Sequence, residues 1–283
     1  MNIMVTGANG GYGSYALDYL KQFSPNDNLF GLVRSEAKGT DLKEKGVNVR
    51  IGDYANADSM KKALKGIDRL LFVSSSIPNI QNNVIAAAKE NGVKYIAYTS
   101  IYQPDYSQFG LEINHKQTEQ WLKDSGIPHT FLRDSWYMEL NQGLFEYAQK
   151  THEFPYFSED GPLSFALRRE FAEAGARVIL DGNYGEIVNL AGNPITFGQL
   201  ALVTQDALNE KLDIKKVTES EFVSDMNQVN ISAQLTTMSE LYQKYALKGN
   251  NGEDKADSTE FEKVLGHPLT ELPVAINEIL NNK

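Results

Sequence analysis

Three glycines, Gly7, Gly10 and Gly13, follow the short apolar run Asn2–Thr6 in MNIMVTGANGGYGSY, at the point where the pattern turns helical. A strand that runs straight into a helix needs backbone angles open to glycine, and the absent side chains let a phosphate approach the main chain. The free N–H groups and positive dipole of the following helix, expected over 11–23, then face an anion. A lone glycine triplet also occurs in ordinary tight turns. Here it opens a regular alternation of strands and helices.

Further apolar strands are expected at 29–34, 47–51, 69–73, 94–99 and 129–133. Helices are expected between them, one running from Ile80 to Asn91 and ending in Asn91-Gly92. Six strands alternating with helices specify a doubly wound parallel α/β sheet, with ligands at the carboxyl ends of the strands. Past Trp136 the alternation fades into a helix over 139–150, a Pro- and Gly-marked connection (PYFSEDGPL), a helix over 168–180, a strand over 186–190 and a polar, mainly helical remainder. The expected division is a dinucleotide-binding domain at 1–135 and a smaller substrate or lid region at 136–283, with later segments free to return to the first. Asn250-Asn251-Gly252-Glu253 reads as a mobile surface loop.

With 283 residues, 41% of them hydrophobic, the chain can bury one large core or two modest ones. The formal charge of −10 opposes a nucleic-acid surface, and Lys61, Lys62 and Lys65 read as the wet face of a helix. No apolar run is long enough to span a bilayer, and no cysteine is present. These features fit a cytoplasmic protein without membrane insertion. The four histidines lack helical metal spacing, so no metal is expected.

The end of the second strand faces the adenosine ribose in dinucleotide folds, and an acid there holds the 2′-hydroxyl of NAD. Arg34 stands in that place and suits a 2′-phosphate, so NADP(H) is the expected cofactor. Glu36 nearby offsets its charge, and Lys38 is a second phosphate candidate. Asp53 and Tyr54 either border the adenine or cap the next helix. Ser74, Ser75 and Ser76 end the fourth strand beside the glycines and offer hydroxyls to the cofactor. The Tyr-x-x-x-Lys proton-transfer pair of short-chain dehydrogenases is missing, since none of the 14 tyrosines has lysine four residues on. His115, on the helix after strand five, is either a proton carrier or a buried, satisfied histidine. Trp136 and Tyr137 either stack on a flat substrate ring or fill a domain junction.

Taken together, TGANGGYG, LVR, GDY, SSS, GVKYIAYTS, the HxxTE pattern from His115, DSGIPHTFLR, WYMEL and STEFEKVLGHPLTEL resemble the NmrA-like atypical short-chain dehydrogenases, and most closely their type 2 NAD(P)H:quinone oxidoreductases. The resemblance implies an NADPH-binding Rossmann domain, a small C-terminal domain, a quinone site between them and no flavin. Carried onto this chain, the cofactor contacts fall on Gly7, Ala8, Asn9, Gly10, Gly11, Tyr12, Arg34, Ser74–Ser76 and Ser135, Trp136, Tyr137, Met138, Glu139 and Leu140. Asp53, Tyr54 and Thr99 complete the expected set. The family's Asn-Gly before Trp-Tyr is Asp134-Ser135 here, its Asn after the Glu is Leu140, and its Arg-x-Asp helix start is Arg168-Arg169-Glu170.

A quinone accepts a hydride without a strong acid, because its product charge spreads over the ring. Direct NADPH-dependent quinone reduction is therefore one reading. The other is a redox sensor that binds NADP(H) and regulates a partner, favoured by the absent Tyr-Lys pair. Reduction of an enone or carbonyl is a third. A homodimer is compatible with each.

Overall fold

The structure is a computed structural model and describes residues 1–158 and 160–281, so Glu159 of the expected PYFSEDGPL connection lies outside it, as do positions 282 and 283. Six strands succeed one another as β1 (Asn2–Val5), β2 (Asn28–Val33), β3 (Asn48–Ile51), β4 (Arg69–Phe72), β5 (Tyr95–Ile101) and β6 (His129–Asp134). Outside their sheet lie β7 (Trp136–Tyr137), β8 (Glu153–Tyr156) and β9 (Leu163–Ala166), and β10 (Ile187–Leu190) rejoins it. The order is β10-β6-β5-β4-β1-β2-β3, with every neighbouring pair parallel. Strand order reverses between β1 and β4, which opens a crevice at their carboxyl ends.

Both faces of the sheet are covered, and the strands show why. In β1, Ile3 and Val5 enter one apolar cluster while Met4 between them enters another. The first face carries α1 (Gly11–Phe23), and α2 (Thr40–Glu44) adds Leu42 to its core. The second carries α3 (Ala57–Ala63), α4 (Gln81–Glu90) and α5 (Leu111–Ser125). After α6 (Gln142–Thr151), α7 (Arg168–Asp181) returns to the first face and lies against α1. A Cβ at Gly175 would come within 2.3 Å of the Tyr12 hydroxyl, so glycine is what permits this close approach. The Tyr12 hydroxyl donates to the carbonyl of Phe171 at 3.0 Å.

The remaining elements are β11 (Pro194–Ile195), α8 (Phe197–Leu208), β12 (Asp213–Lys216), α9 (Glu219–Gln228), α10 (Ala233–Lys248), α11 (Thr259–Leu265) and α12 (Leu272–Asn281). Of these, α11 packs on α7 and β10, whereas α6, α8, α9, α10 and α12 surround a second core that includes Phe154, Phe165, Phe197 and Phe222. The region past 136 is less purely helical than its sequence suggests. β9 pairs parallel with β7 and antiparallel with β11, and β8 pairs parallel with β12. The Pro- and Gly-marked connection thus holds parts of two strands. Its Gly161 is required by the backbone, since a Cβ there would sit 2.0 Å from the carbonyl oxygen of Ala246.

The stretch Asn250–Glu253 is not the mobile surface loop its polar composition suggests. Asn251 and Glu253 are buried at 3% and 1% exposure. The Glu253 carboxylate accepts from Trp136 Nε1 at 2.8 Å, Ser164 N at 2.9 Å and Ser164 Oγ at 2.6 Å. No helix among the described residues is long and apolar enough to cross a membrane.

Candidate active site

The glycine turn is built from the backbone outward. Gly7 takes φ +58, and its carbonyl accepts the N–H of Gly10 at 2.9 Å. A Cβ at Gly13 would fall 2.4 Å from that same carbonyl oxygen, so Gly13 closes the turn. The start of α1 has no side-chain cap, which leaves the first-turn N–H groups available to an anion. Ala8 is fully buried and donates its N–H to the carbonyl of Leu32, whereas Asn9 faces the crevice.

Two cavities meet at this turn and share Gly7, Gly10, Val73 and Ser74–Ser76, forming the halves of one groove across the strand ends. The first half, about 500 Å³, is bordered by Arg34, Lys38, Asp53 and Tyr54. Glu36 is drawn away into an ion pair with Lys43 at 2.5 Å, and among the described residues neither Arg34 nor Lys38 has an acidic partner. Two unpaired cations therefore remain where a phosphate is expected. The capping of α3 falls to Asn56, which accepts from Ser59 N at 2.9 Å, while Asp53 closes its own turn with Ala55 N. The Tyr54 hydroxyl donates to the carbonyl of Val73.

The serine loop is held in place by its surroundings. Thr99 Oγ1 accepts from Ser74 N at 2.8 Å, Gln81 Oε1 accepts from Ser75 N, and Asn114 Nδ2 donates to the Ser75 carbonyl. Thr99 therefore lines the groove and also fixes the loop.

The second half, about 580 Å³, brings together Thr99, Leu111, His115, Asp134, Ser135, Trp136, Tyr137, Leu140, Arg168 and Tyr242. His115 is buried on α5 with Nδ1 3.0 Å from the Tyr98 hydroxyl. Burial lowers its pKa to about 4, against the opposing pull of Glu119, so the imidazole is neutral near pH 7. Of the two alternatives for His115, its placement matches the buried, hydrogen-bonded histidine, and the ring also lines the groove. Trp136 lies 4.9 Å from Phe109 and edge-on to Tyr242 and Tyr245 at 5.0 and 5.2 Å between ring centroids. Tyr137 packs edge-on against Phe171. Each aromatic is at once part of a packed cluster and a wall of the groove. Met138 is buried in the second core, and Glu139 accepts from Arg168 N at 2.9 and 3.1 Å; neither side chain borders the groove.

Four contributors escaped sequence reasoning as site residues. Arg168 lies so close over the glycine turn that a Cβ at Gly11 would be 2.6 Å from Nη1, and its guanidinium covers Tyr137 at 5.0 Å. Tyr242 closes the far wall, and Glu253 anchors the Trp136 indole from behind. Asp134, visible in sequence only as a departure from Asn, ends β6 with its carboxyl buried and both oxygens without a hydrogen-bond partner. Burial pushes that carboxyl well above the usual range. No cluster of three or more potential metal ligands occurs among the described residues.

Similarity to known proteins extends over the full chain. Quinone oxidoreductase 2 of Escherichia coli is 34% identical over 285 residues, covering 99% of each chain. The crystal structure of that NADPH-dependent enzyme complexed with NADPH superposes with a TM-score of 0.85 at 33% identity, covering 99% of this chain and all of the other. A triphenylmethane reductase of Citrobacter sp. complexed with NADP(H) gives 0.86 at 29% identity, covering 98% of this chain and 100% of the other. The model described as the NmrA-like family matches residues 1–280, and the chain belongs to that family.

Proposed function

We propose that this protein is an NADPH-dependent quinone reductase that transfers hydride directly, without flavin. The observation that carries the reading is the continuous two-part groove, with unpaired Arg34 and Lys38 at one end and aromatic walls at the other. NADP(H) fits the first part and the glycine turn. Extended Gly10 (φ −84, ψ 165) lies where a phosphate would approach, and only a bare Cα leaves that room. When bound, NADPH supplies the hydride from its nicotinamide ring.

The chain's own contribution is placement. Arg34 and Lys38 would hold the 2′-phosphate, the first turn of α1 and Arg168 would face the pyrophosphate, and the serine loop, locked by Thr99, Gln81 and Asn114, borders the centre of the groove. Trp136, Tyr137 and Tyr242 exclude water and offer flat surfaces to an aromatic acceptor. Neutral His115 orients polar atoms through hydrogen bonds. Operation in the cytoplasm, on a small molecule and apart from nucleic acid, belongs to the same reading and rests on the net charge of −10 and the cysteine-free sequence. The division into a cofactor domain at 1–135 and a substrate region from 136 is also part of it, with α7, β10 and α11 returning to the first unit.

Steady-state oxidation of NADPH with a panel of benzo- and naphthoquinones tests the proposal. Many turnovers per protein, saturating in quinone, are expected. Tight binding of one NADPH equivalent with no turnover across the panel would leave the sensor reading in its place.

A further inference from the structure

We propose that Asp134 is the proton source for the reaction in this groove, and that the proton reaches the acceptor oxygen through the hydroxyl of Tyr137. The inference rests on the reductase reading above and adds to it the acid that the missing Tyr-Lys pair would otherwise supply.

The placement of Asp134 is rigid. It is paired in register with Ile101 of β5 and Leu190 of β10, and its carbonyl accepts from Tyr102 N at 2.8 Å. The side chain therefore leaves the sheet at a fixed point, at the carboxyl end of β6 where the groove passes. Neither carboxyl oxygen is reached by water and neither has a hydrogen-bond donor. A carboxylate in such a place would be an uncompensated buried charge, whereas a carboxylic acid needs no counterion.

The ionisable groups around it do not supply that counterion. Tyr12 of α1 is bonded to the Phe171 carbonyl. His115 of α5 is neutral and held by Tyr98. The Arg168 guanidinium at the start of α7 lies over Tyr137 and forms no ion pair with Asp134, and Glu139 is engaged at the α7 N-terminus. Tyr242 of α10 packs on Trp136. Only the Tyr137 hydroxyl favours the charged form of Asp134, without closing a hydrogen bond to it in the resting structure. Because water and acceptor are shut off from the carboxyl itself, Tyr137, which shares the groove wall, is the route between them.

The acceptor gains a hydride with its electron pair, and one of its oxygens takes up the negative charge. The Tyr137 O–H bond breaks toward that oxygen as the Asp134 O–H bond breaks toward the Tyr137 oxygen, leaving hydroquinone and a carboxylate. After product leaves, a proton from water in the emptied groove returns by the same route, onto the Tyr137 oxygen as the Tyr137 proton passes back to the carboxylate. Asparagine at this position cannot take part in such a transfer, so the departure from the family pattern is itself a gain of chemistry.

The test uses the full-length protein with Asp134→Asn, Tyr137→Phe and the double variant. Infrared spectra of the cofactor-free protein near neutral pH should show a protonated carboxylic acid band that Asp134→Asn removes. With NADPH and quinones, each single variant should lower kcat about a hundredfold, and the double variant should lose no more than either single one. The loss should grow with the basicity of the hydroquinone oxygen, and the alkaline fall of the wild-type pH profile should vanish in Asp134→Asn. A purely structural role would not produce that dependence on the acceptor. Absence of the band, or unchanged kcat and pH profile in folded Asp134→Asn or Tyr137→Phe, overturns this inference alone. A wild type that shows the band but reduces no acceptor overturns the reductase reading, and the proton-delivery role with it.

Discussion

Glu253→Gln should remove a pH dependence of stability that originates in one buried carboxyl. Burial raises the Glu253 pKa from 4.5 to about 7, although Ser164 and Trp136 donate three hydrogen bonds that pull it down. The native state therefore binds a proton that the unfolded chain has lost between pH 4.5 and about 7. Stability must fall as pH rises through that interval and level off above it. At about 1.4 kcal/mol per pH unit, the ionised carboxylate costs the fold up to about 3 kcal/mol by pH 8. Glutamine carries no such term. It does lose one acceptor, because its amide nitrogen would meet a buried N–H or O–H donor, at a cost of about 1–3 kcal/mol at every pH. Urea denaturation of both proteins at pH 5 and pH 8 separates the two contributions. Wild type should be the more stable at pH 5, with the gap closing by up to about 3 kcal/mol at pH 8. A gap that stays constant would show that Glu253 does not titrate in this interval and would refute the reasoning.

Arg34→Ala should weaken NADPH about 10- to 100-fold and leave NADH unchanged, as expected for loss of charge-assisted bonds to a 2′-phosphate; fluorescence titration with both cofactors checks it. Gly10→Val should fold, since its Cβ meets only the Gly7 carbonyl at 3.2 Å, yet bind no cofactor in calorimetry. Gly13→Ala should instead lower the Tm sharply, because 2.4 Å to the same carbonyl cannot be accommodated. His115→Ala should reduce kcat only a few-fold with cofactor affinity kept. A far larger loss in stopped-flow traces would assign proton transfer to the imidazole and not to the Asp134–Tyr137 route.

The Rossmann half was legible because its signals are local. Apolar strand runs, the glycine turn and the end of β2 each announce themselves within a few residues, and the parallel sheet follows from their alternation. The C-terminal half was less so. β7 and β11 are two residues long and have no periodicity to read, and β8 and β9 border a tract marked by Pro and Gly. Glu253 sits in the polar string NNGED, where composition indicates surface. What buries it are Trp136 and Ser164, 117 and 89 residues away, which no local pattern encodes.

The same contrast runs through the site itself. Its cofactor half presents largely backbone: a positive-φ glycine, uncapped N–H groups and a serine loop whose own N–H groups are held by the Thr99 and Gln81 side chains. Such features depend on small residues at fixed spacing, which is why the sequence displays them. The acceptor half is made of side chains brought in by α5, β6, β7, α7 and α10, and three of the positions that depart from the family pattern, Asp134, Ser135 and Leu140, border it. Changing a side chain there alters the acceptor or the proton supply without disturbing the turn that holds the phosphates. The fold thus separates a fixed hydride source from an adjustable acceptor site, and Asp134 lies on the adjustable side, at the last position of β6 in register with both β5 and β10.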